Sequence, residues 1–120
     1  MFPPIFSIIS ADTGAKAVLG TSPIRFFPFG QAPDDVTLPY AVWQTVSGVP
    51  ENYLAGVPDV DSLMVQVDVY AATGSAARTA AEAVRDALEP EAYVVAWRGE
   101  GKEDDGVFRY SFDVDFLIER

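Results

Sequence analysis

Histidine and cysteine are both absent from the 120 residues of this chain. Without them the chain cannot form a Ser-His-Asp triad, a thiol nucleophile, a zinc finger or an iron–sulfur site. Disulfides are excluded as well, so cysteine usage says nothing about the redox compartment. Any catalysis would have to use carboxylates, tyrosines or the two lysines, Lys16 and Lys102.

Basic residues are also scarce, with 8 Lys and Arg against 18 Asp and Glu, for a formal net charge of −10. At neutral pH such a surface repels phosphate backbones and anionic lipid head groups. We therefore expect neither a sequence-specific nucleic-acid reader nor a membrane-surface protein. A cationic protein partner stays compatible with this charge.

Long apolar runs are missing, because no stretch approaches the roughly 20 apolar residues that cross a bilayer. The apolar N-terminus, Met1 to Ile9, has no basic residue before it, which argues against a secretory signal and favours synthesis in a cytoplasm. With 49% hydrophobic and 22% charged residues the composition is that of a folded protein. The length predicts a single domain over residues 1–120.

The sequence periodicity predicts two helical regions. Pro3–Leu19 has an apolar stripe that breaks near Asp12, a residue suited to capping a second short helix that Gly20 would end. Thr73–Glu89 has a small apolar stripe at helical spacing and is followed by Pro90, which stops it. We expect both regions to pack on a sheet.

Alternating or aromatic-rich segments predict five strands, and Pro28 would confine the first of them to a sheet edge. The strands are Ile24–Phe29, Tyr40–Ser47, Ser62–Ala72, Ala92–Arg98 and Val107–Ile118. The segment Gly48–Pro58 is expected to be a loop or a wide hairpin turn that joins the second strand to the third. The order indicates an α+β fold with an antiparallel-dominated sheet of about four to five strands and helices packed on one face.

Three aspartates form a candidate acidic face. Asp113 and Asp115 alternate on one side of the last strand, and their spacing of roughly 6–7 Å would suit a hydrolase that uses paired carboxylates. Nothing in the sequence marks a cleft that would separate their pKa values, so a solvated or subunit-facing surface is favoured. With Asp68 they form an acidic face that is either ordinarily solvated or faces a restricted space, and the solvated interpretation is favoured.

An aromatic segment around Pro28 is the candidate interface. Phe26, Phe27 and Phe29 cannot all easily reach one core, so some would pack inside while others would serve as docking anchors, together with Tyr40 and Trp43 on the next strand. The run Glu103-Asp104-Asp105-Gly106 lacks the ligand spacing of a calcium loop. We expect no metal, cofactor or catalytic residue.

Five segments then follow one another in a recognisable order. They are Pro4-Ile5-Phe6, Ala32-Pro33, Leu38-Pro39-Tyr40-Ala41-Val42-Trp43-Gln44, Asp61-Ser62 leading into Val65-Gln66-Val67-Asp68-Val69-Tyr70-Ala71, and the alanine-rich helix from Ala76 to Leu88. In this order the chain resembles the small tail terminator, or tail completion, proteins of long-tailed bacteriophages and gene-transfer particles. The resemblance covers most of the chain, from Pro3 to Leu88.

The resemblance implies a structural, non-enzymatic virion protein of the tail–neck region, assembled in the bacterial host cytoplasm. Such subunits form a ring, commonly a hexamer, that ends the tail tube, contacts the tube protein and joins the head connector or stopper protein while DNA passes. A ring of six 120-residue globules, each with a radius of gyration of about 14 Å, would leave a lumen of about 35 Å. Negative charge there would repel DNA rather than hold it.

Closing a ring requires two different patches that meet head to tail, and the edge of the Val107–Ile118 strand is one candidate for pairing between subunits. Two other classes of function stay open. An acidic adaptor or DNA-mimicking protein would bind a basic partner in a salt-sensitive way. A carboxylate-dependent hydrolase would need Asp113 or Asp115 for activity.

Overall fold

A computed structural model describes residues 3–21, 23–50, 60–103 and 105–119, so most of the predicted 48–58 loop lies outside the described residues. No helix in these segments is long and apolar enough to cross a bilayer. Three helices and five strands follow one another along the chain. They are α1 (Ile5–Ala11), α2 (Thr13–Leu19), β1 (Phe26–Pro28), β2 (Tyr40–Pro50), β3 (Val60–Ala71), α3 (Gly74–Leu88), β4 (Tyr93–Lys102) and β5 (Phe108–Glu119).

The N-terminal helical region breaks where the sequence predicts. Asp12 has an extended backbone between α1 and α2, and its Oδ2 accepts a hydrogen bond from the backbone N–H of Ala15 at 2.8 Å. Gly20, with φ of 79°, ends α2, because a residue with a side chain rarely adopts that conformation. Ile5 and Leu19 are fully buried, so both short helices are held by the core rather than by their own length.

Helix α3 is confirmed within one residue of its predicted start and end. The Oγ1 of Thr73 accepts a hydrogen bond from the N–H of Ala76 at 3.1 Å and caps the helix. Its buried face is mostly alanine, with Val84 and Leu88 as the larger members. Small side chains let the helix axis approach the sheet closely.

The five strands form one sheet in the order β1-β2-β3-β5-β4, with β1 parallel to β2 and every other pair antiparallel. The predicted fold class, an antiparallel-dominated α+β sheet, is therefore confirmed. β2 continues to Pro50, which pairs with Asp61, so the start of the predicted 48–58 loop is strand instead. The proline lies at the end of β2, where a missing N–H costs least.

Strand β5 lies between β3 and β4, with Val65 and Val94 both paired to Val114. The prediction that the edge of this strand pairs between subunits is wrong, because both of its edges are already used within the chain. The free edges belong to β4 on one side and to β1 with the uncovered part of β2 on the other.

One face of the sheet carries the core and the other does not. Phe112, Val114 and Phe116 of β5 lie on the core face with Val65 and Val67 of β3, against the buried sides of the three helices. The intervening residues of the same strands lie on the second face, where no helix of the described chain packs. We call this second surface the open face.

Edge strand β4 is interrupted by two bulges, between Val94 and Ala96 and between Trp97 and Gly99. Gly99 has φ of 77°, the left-handed conformation that glycine adopts at little cost. The bulges place two residues of β4 opposite one residue of β5, which increases the local twist of this edge.

Candidate functional site

The open face is polar across its three central strands. In the strand register Asp68 lies opposite Ser111, Gln66 opposite Asp113, and Met64 opposite Asp115. The sequence prediction that Asp113 and Asp115 share a face opposite the aromatic core residues is confirmed.

Asp68 is buried, with 4% of its surface exposed. Its carboxylate accepts hydrogen bonds from the Ser111 hydroxyl and from Nε2 of Gln66, the latter at 3.0 and 3.1 Å. These donors compensate for the loss of water around the charge. Asp68 is therefore part of a buried polar network in the isolated chain and not of a solvated acidic surface.

Asp113 is also buried, with 7% exposed, and both of its oxygens are engaged. Nη1 and Nη2 of Arg98 each donate to a different carboxylate oxygen at 2.8 Å, in a bidentate pair. Asp115 is half-buried and accepts a hydrogen bond from the hydroxyl of Ser62. The two aspartates therefore have separate partners, which does not favour a carboxylate-dependent hydrolase, since one carboxyl would have to serve as a proton donor.

A recess of about 300 Å³ opens on the same face near β4 and β5. Its lining includes Arg98 and Arg109, but Arg98 is paired with Asp113, and Nε of Arg109 lies 3.0 Å from Oε1 of Glu103. The recess is therefore not a strongly positive anion site. No group of three or more potential metal ligands occurs in the part of the chain that the structure describes.

Tyr40 and Tyr70 lie beside each other at one end of the open face. The rings of Tyr40 and Tyr70 stack with their centroids 5.0 Å apart and an interplanar angle of 17°. Burial raises the pKa of Tyr40, and the negative charge of Asp105 adds to that increase. Burial likewise raises the pKa of Tyr70, with a further contribution from Asp68. Both phenols are therefore neutral at physiological pH.

The predicted aromatic interface is corrected at two positions. Phe26 and Trp43 are 1% and 9% exposed, because both project from the sheet toward the helices and belong to the core. Phe27 and Tyr40 are half-buried, while Phe29 is 65% exposed. An interface at Phe27, Phe29 and Tyr40 stays a prediction.

The apolar edge at β4 was not predicted from the sequence. Tyr93, Val95 and Trp97 are 65%, 48% and 38% exposed. Trp97 packs on Phe112 and Tyr110 of the core face, and the guanidinium of Arg85 lies 5.2 Å from its ring centroid. The sequence did contain a signal for this edge, because β4 has apolar residues at both odd and even positions. Alternate residues of a strand lie on opposite faces, and a sheet with one core face can bury only one of the two groups.

In the described residues, helices cover one face of the sheet, hydrogen-bonded carboxylates lie on the other, and the outer strand edges have no strand partner. Over residues 3–119 the chain matches the model of the tail completion protein gp17 family. The chain belongs to this family of phage tail structural proteins. No curated protein sequence matches it.

Among solved structures, the fold is similar to a chain from a structure described as the virion of a native gene transfer agent particle. The TM-score is 0.77 with 15% identity, over 97% of this chain and 92% of that one. At this identity the likeness concerns the fold.

Proposed function

We propose that this protein forms a ring, commonly a hexamer in the proteins it resembles, which closes the end of a phage tail tube. The ring stops addition of further tube subunits, joins the tube to a head connector or stopper protein and lets DNA pass. The main support is the family match over residues 3–119, which includes every helix and strand of the fold. On this proposal the protein resides at the neck of the virion after assembly in the host cytoplasm, and no side chain performs chemistry.

The described structure supports a ring in two respects. Its sheet ends in two different free edges, as a head-to-tail interface between identical subunits requires. Its similarity to a chain of a gene-transfer-agent virion is compatible with a subunit of a particle.

The dimensions of the molecule are compatible with DNA passage. The principal extents are 52 × 28 × 24 Å. We treat each subunit as a block about 28 Å wide around the ring and about 24 Å thick along its radius. Six such blocks closed head to tail leave a lumen with a diameter of about 32 Å. Duplex DNA fits through such an opening.

The charge of the molecule also suits a conduit. With a net charge of −10 the surface does not retain duplex DNA through its phosphates. Because Asp68 and Asp113 are buried, the repulsion comes from exposed acidic residues of the loops and of α3. These residues include Asp34, Asp35, Glu82, Asp86, Glu89, Glu91 and Asp105.

The proposal is tested by deleting the gene from its phage or particle and imaging the products in negative stain. We expect headless tails of uncontrolled tube length and separate filled heads, with normal particles restored by the wild-type gene. Purified chain added to isolated tubes should form a ring at one end of each tube. Normal joined particles without the protein would contradict the proposal.

An acidic adaptor or DNA-mimicking protein is the second candidate, and the excess of acidic residues is the observation that favours it. Such a protein would act as a monomer on a basic partner. Pull-down of a basic host protein that high salt abolishes, with no ring on tail tubes, would favour this candidate over the first.

A further inference from the structure

Both ends of the sheet offer unpaired backbone. Among the described residues, no strand pairs with the outer side of β4 along the ten residues from Tyr93 to Lys102. At the opposite end, β1 covers only Ala41–Trp43 of β2, so the rest of β2 has no strand on its outer side in the described part of the chain. Natural sheets rarely leave long apolar edges uncovered, because such edges pair with other chains.

We propose that the N-terminal part of β4, Tyr93–Ala96, in one copy pairs antiparallel with the uncovered part of β2, residues 44–50, in the next copy, so that the sheet continues from subunit to subunit. The inference rests on the proposed ring and specifies its interface. β2 and β5 run in one direction, and β3 and β4 run in the other. Two copies with the same orientation therefore bring β4 and β2 together antiparallel, the pairing that short strands form most readily.

The apolar parts of the two edges lie at the same level of the sheet. Val95 lies beside Asp113 and Val114 of β5, which pair through β3 with the Gln44 and Thr45 rows of β2. Val46 follows these rows and is 47% exposed. Side-by-side copies therefore bring the exposed Val95 of one near the exposed Val46 of the other, and both side chains lose water on pairing.

The charges of the two edges are also complementary. The C-terminal half of β4 carries exposed Lys102, while the guanidinium of Arg98 is already paired with Asp113 of its own chain. The opposite edge, residues 26–50, contains no basic residue, and its loop between β1 and β2 carries exposed Asp34 and Asp35. Lys102 on one edge and the two aspartates beside the other give head-to-tail contact an attraction between unlike charges.

Engineered thiols can test this pairing directly, because the chain has no cysteine of its own. The test protein carries Val46→Cys and Val95→Cys together and is oxidised mildly, both as purified chain and after assembly on tail tubes. We expect disulfide-linked multimers up to the closed ring on a denaturing gel. Each single variant should stay monomeric on that gel, as should the matched control Val95→Cys with Thr79→Cys, whose second thiol lies on the exposed side of α3.

Three results would overturn the edge pairing. Cross-linking of Val95→Cys alone would show a two-fold β4–β4 contact. Rings seen by imaging without a Val46–Val95 cross-link would place the interface elsewhere and leave the proposed function intact. Absence of both rings and cross-links, in solution and on tubes, would overturn the pairing and the proposed function together.

A charge placed on the edge gives an independent measurement. Val95→Lys should weaken self-association by about tenfold or more, because the lysine would have to leave water opposite Val46. Thr79→Lys adds the same charge on α3 and should leave association unchanged. Equal melting temperatures of the two variants would show that the loss comes from the edge and not from unfolding, and unchanged association of Val95→Lys would contradict the proposal.

Discussion

The carboxylate of Asp113 contributes to the stability of the open face through its bidentate pair with Arg98. The carboxylate is buried while the side chain of Arg98 is 44% exposed, so the pair is stronger than a surface ion pair and weaker than a fully buried one. Its partners make Asp113 a structural residue of the sheet.

Replacement of Asp113 by Asn should lower the free energy of unfolding by about 1–3 kcal/mol, because the neutral amide keeps one acceptor oxygen but loses the charge and the second acceptor of the bidentate pair at a buried site. Asp86→Asn is the matched control, since Asp86 also pairs with an arginine but is 66% exposed. It should change stability by less than about 0.5 kcal/mol. Urea denaturation measures both, and equal effects would show that burial does not strengthen the Asp113 pair.

The stacked tyrosines predict a loss of stability in alkali. The pKa of Tyr40 is raised above its ordinary value of 10.0, mainly by burial and then by Asp105. As pH rises above about 10, the unfolded chain releases the Tyr40 proton before the folded chain does. The contribution of the protonated phenol to the free energy of unfolding is therefore complete below that pH and declines above it. Tyr40→Phe should make the decline shallower in denaturation curves, and Asp105→Asn should do so less. A decline unaffected by Tyr40→Phe would contradict this assignment.

At the scale of elements, β4 differs from the other long strands because two bulges shape it. Its twist would help a sheet to curve if it continues between subunits. The second bulge depends on Gly99, whose backbone is left-handed, while Gly101 two residues later has no such requirement.

This pair gives a controlled test of the bulge. An added Cβ meets nothing within 4 Å at either glycine, so only the backbone conformation distinguishes Gly99→Ala from Gly101→Ala. Gly99→Ala should lower the free energy of unfolding by about 1–2 kcal/mol more than Gly101→Ala, as measured by chemical denaturation. Equal losses would mean that the strand relaxes into a regular conformation.

The elements were largely predictable because their signals are local. The helix ends are marked by residues whose own hydrogen-bonding or steric properties start or stop a helix, namely Asp12, Gly20, Thr73 and Pro90. The parallel direction of β1 and the position of β5 inside the sheet were not predictable, because strand order depends on contacts between distant segments.

The candidate site was harder to predict than the elements for the same reason. Alternation correctly placed Asp68, Asp113 and Asp115 on the polar side of their strands. It could not show that Ser111, Gln66 and Arg98 come from neighbouring positions to bury two of these carboxylates. Likewise, a strand pattern alone does not say which strand becomes the edge.

For the whole molecule, net charge determines how assembly should respond to salt. Ring closure brings together subunits that each carry −10, so their mutual repulsion opposes assembly at low ionic strength. Exposed ion pairs formed between the proposed edges would contribute only about 0–1 kcal/mol each and would not reverse this effect.

Raising salt from about 20 to about 300 mM should therefore strengthen ring formation, because it screens repulsion between subunits. Mass measurement across this range tests the expectation. The acidic-adaptor alternative predicts the opposite sign, with binding to a basic partner weakening over the same range. Ring formation that weakens with salt would mean that attraction between unlike charges dominates the interface.

The two tryptophans lie in different surroundings, so the intrinsic fluorescence of the chain can be used to follow assembly. Trp43 is in the core, where its indole Nε1 is buried without a hydrogen-bond partner, whereas Trp97 is partly exposed on β4 beneath Arg85. Pairing of β4 with a neighbour would remove water from Trp97 alone, shifting its emission to shorter wavelength while the emission of Trp43 stays constant. The kinetics of subunit addition could then be followed in real time without attaching a dye.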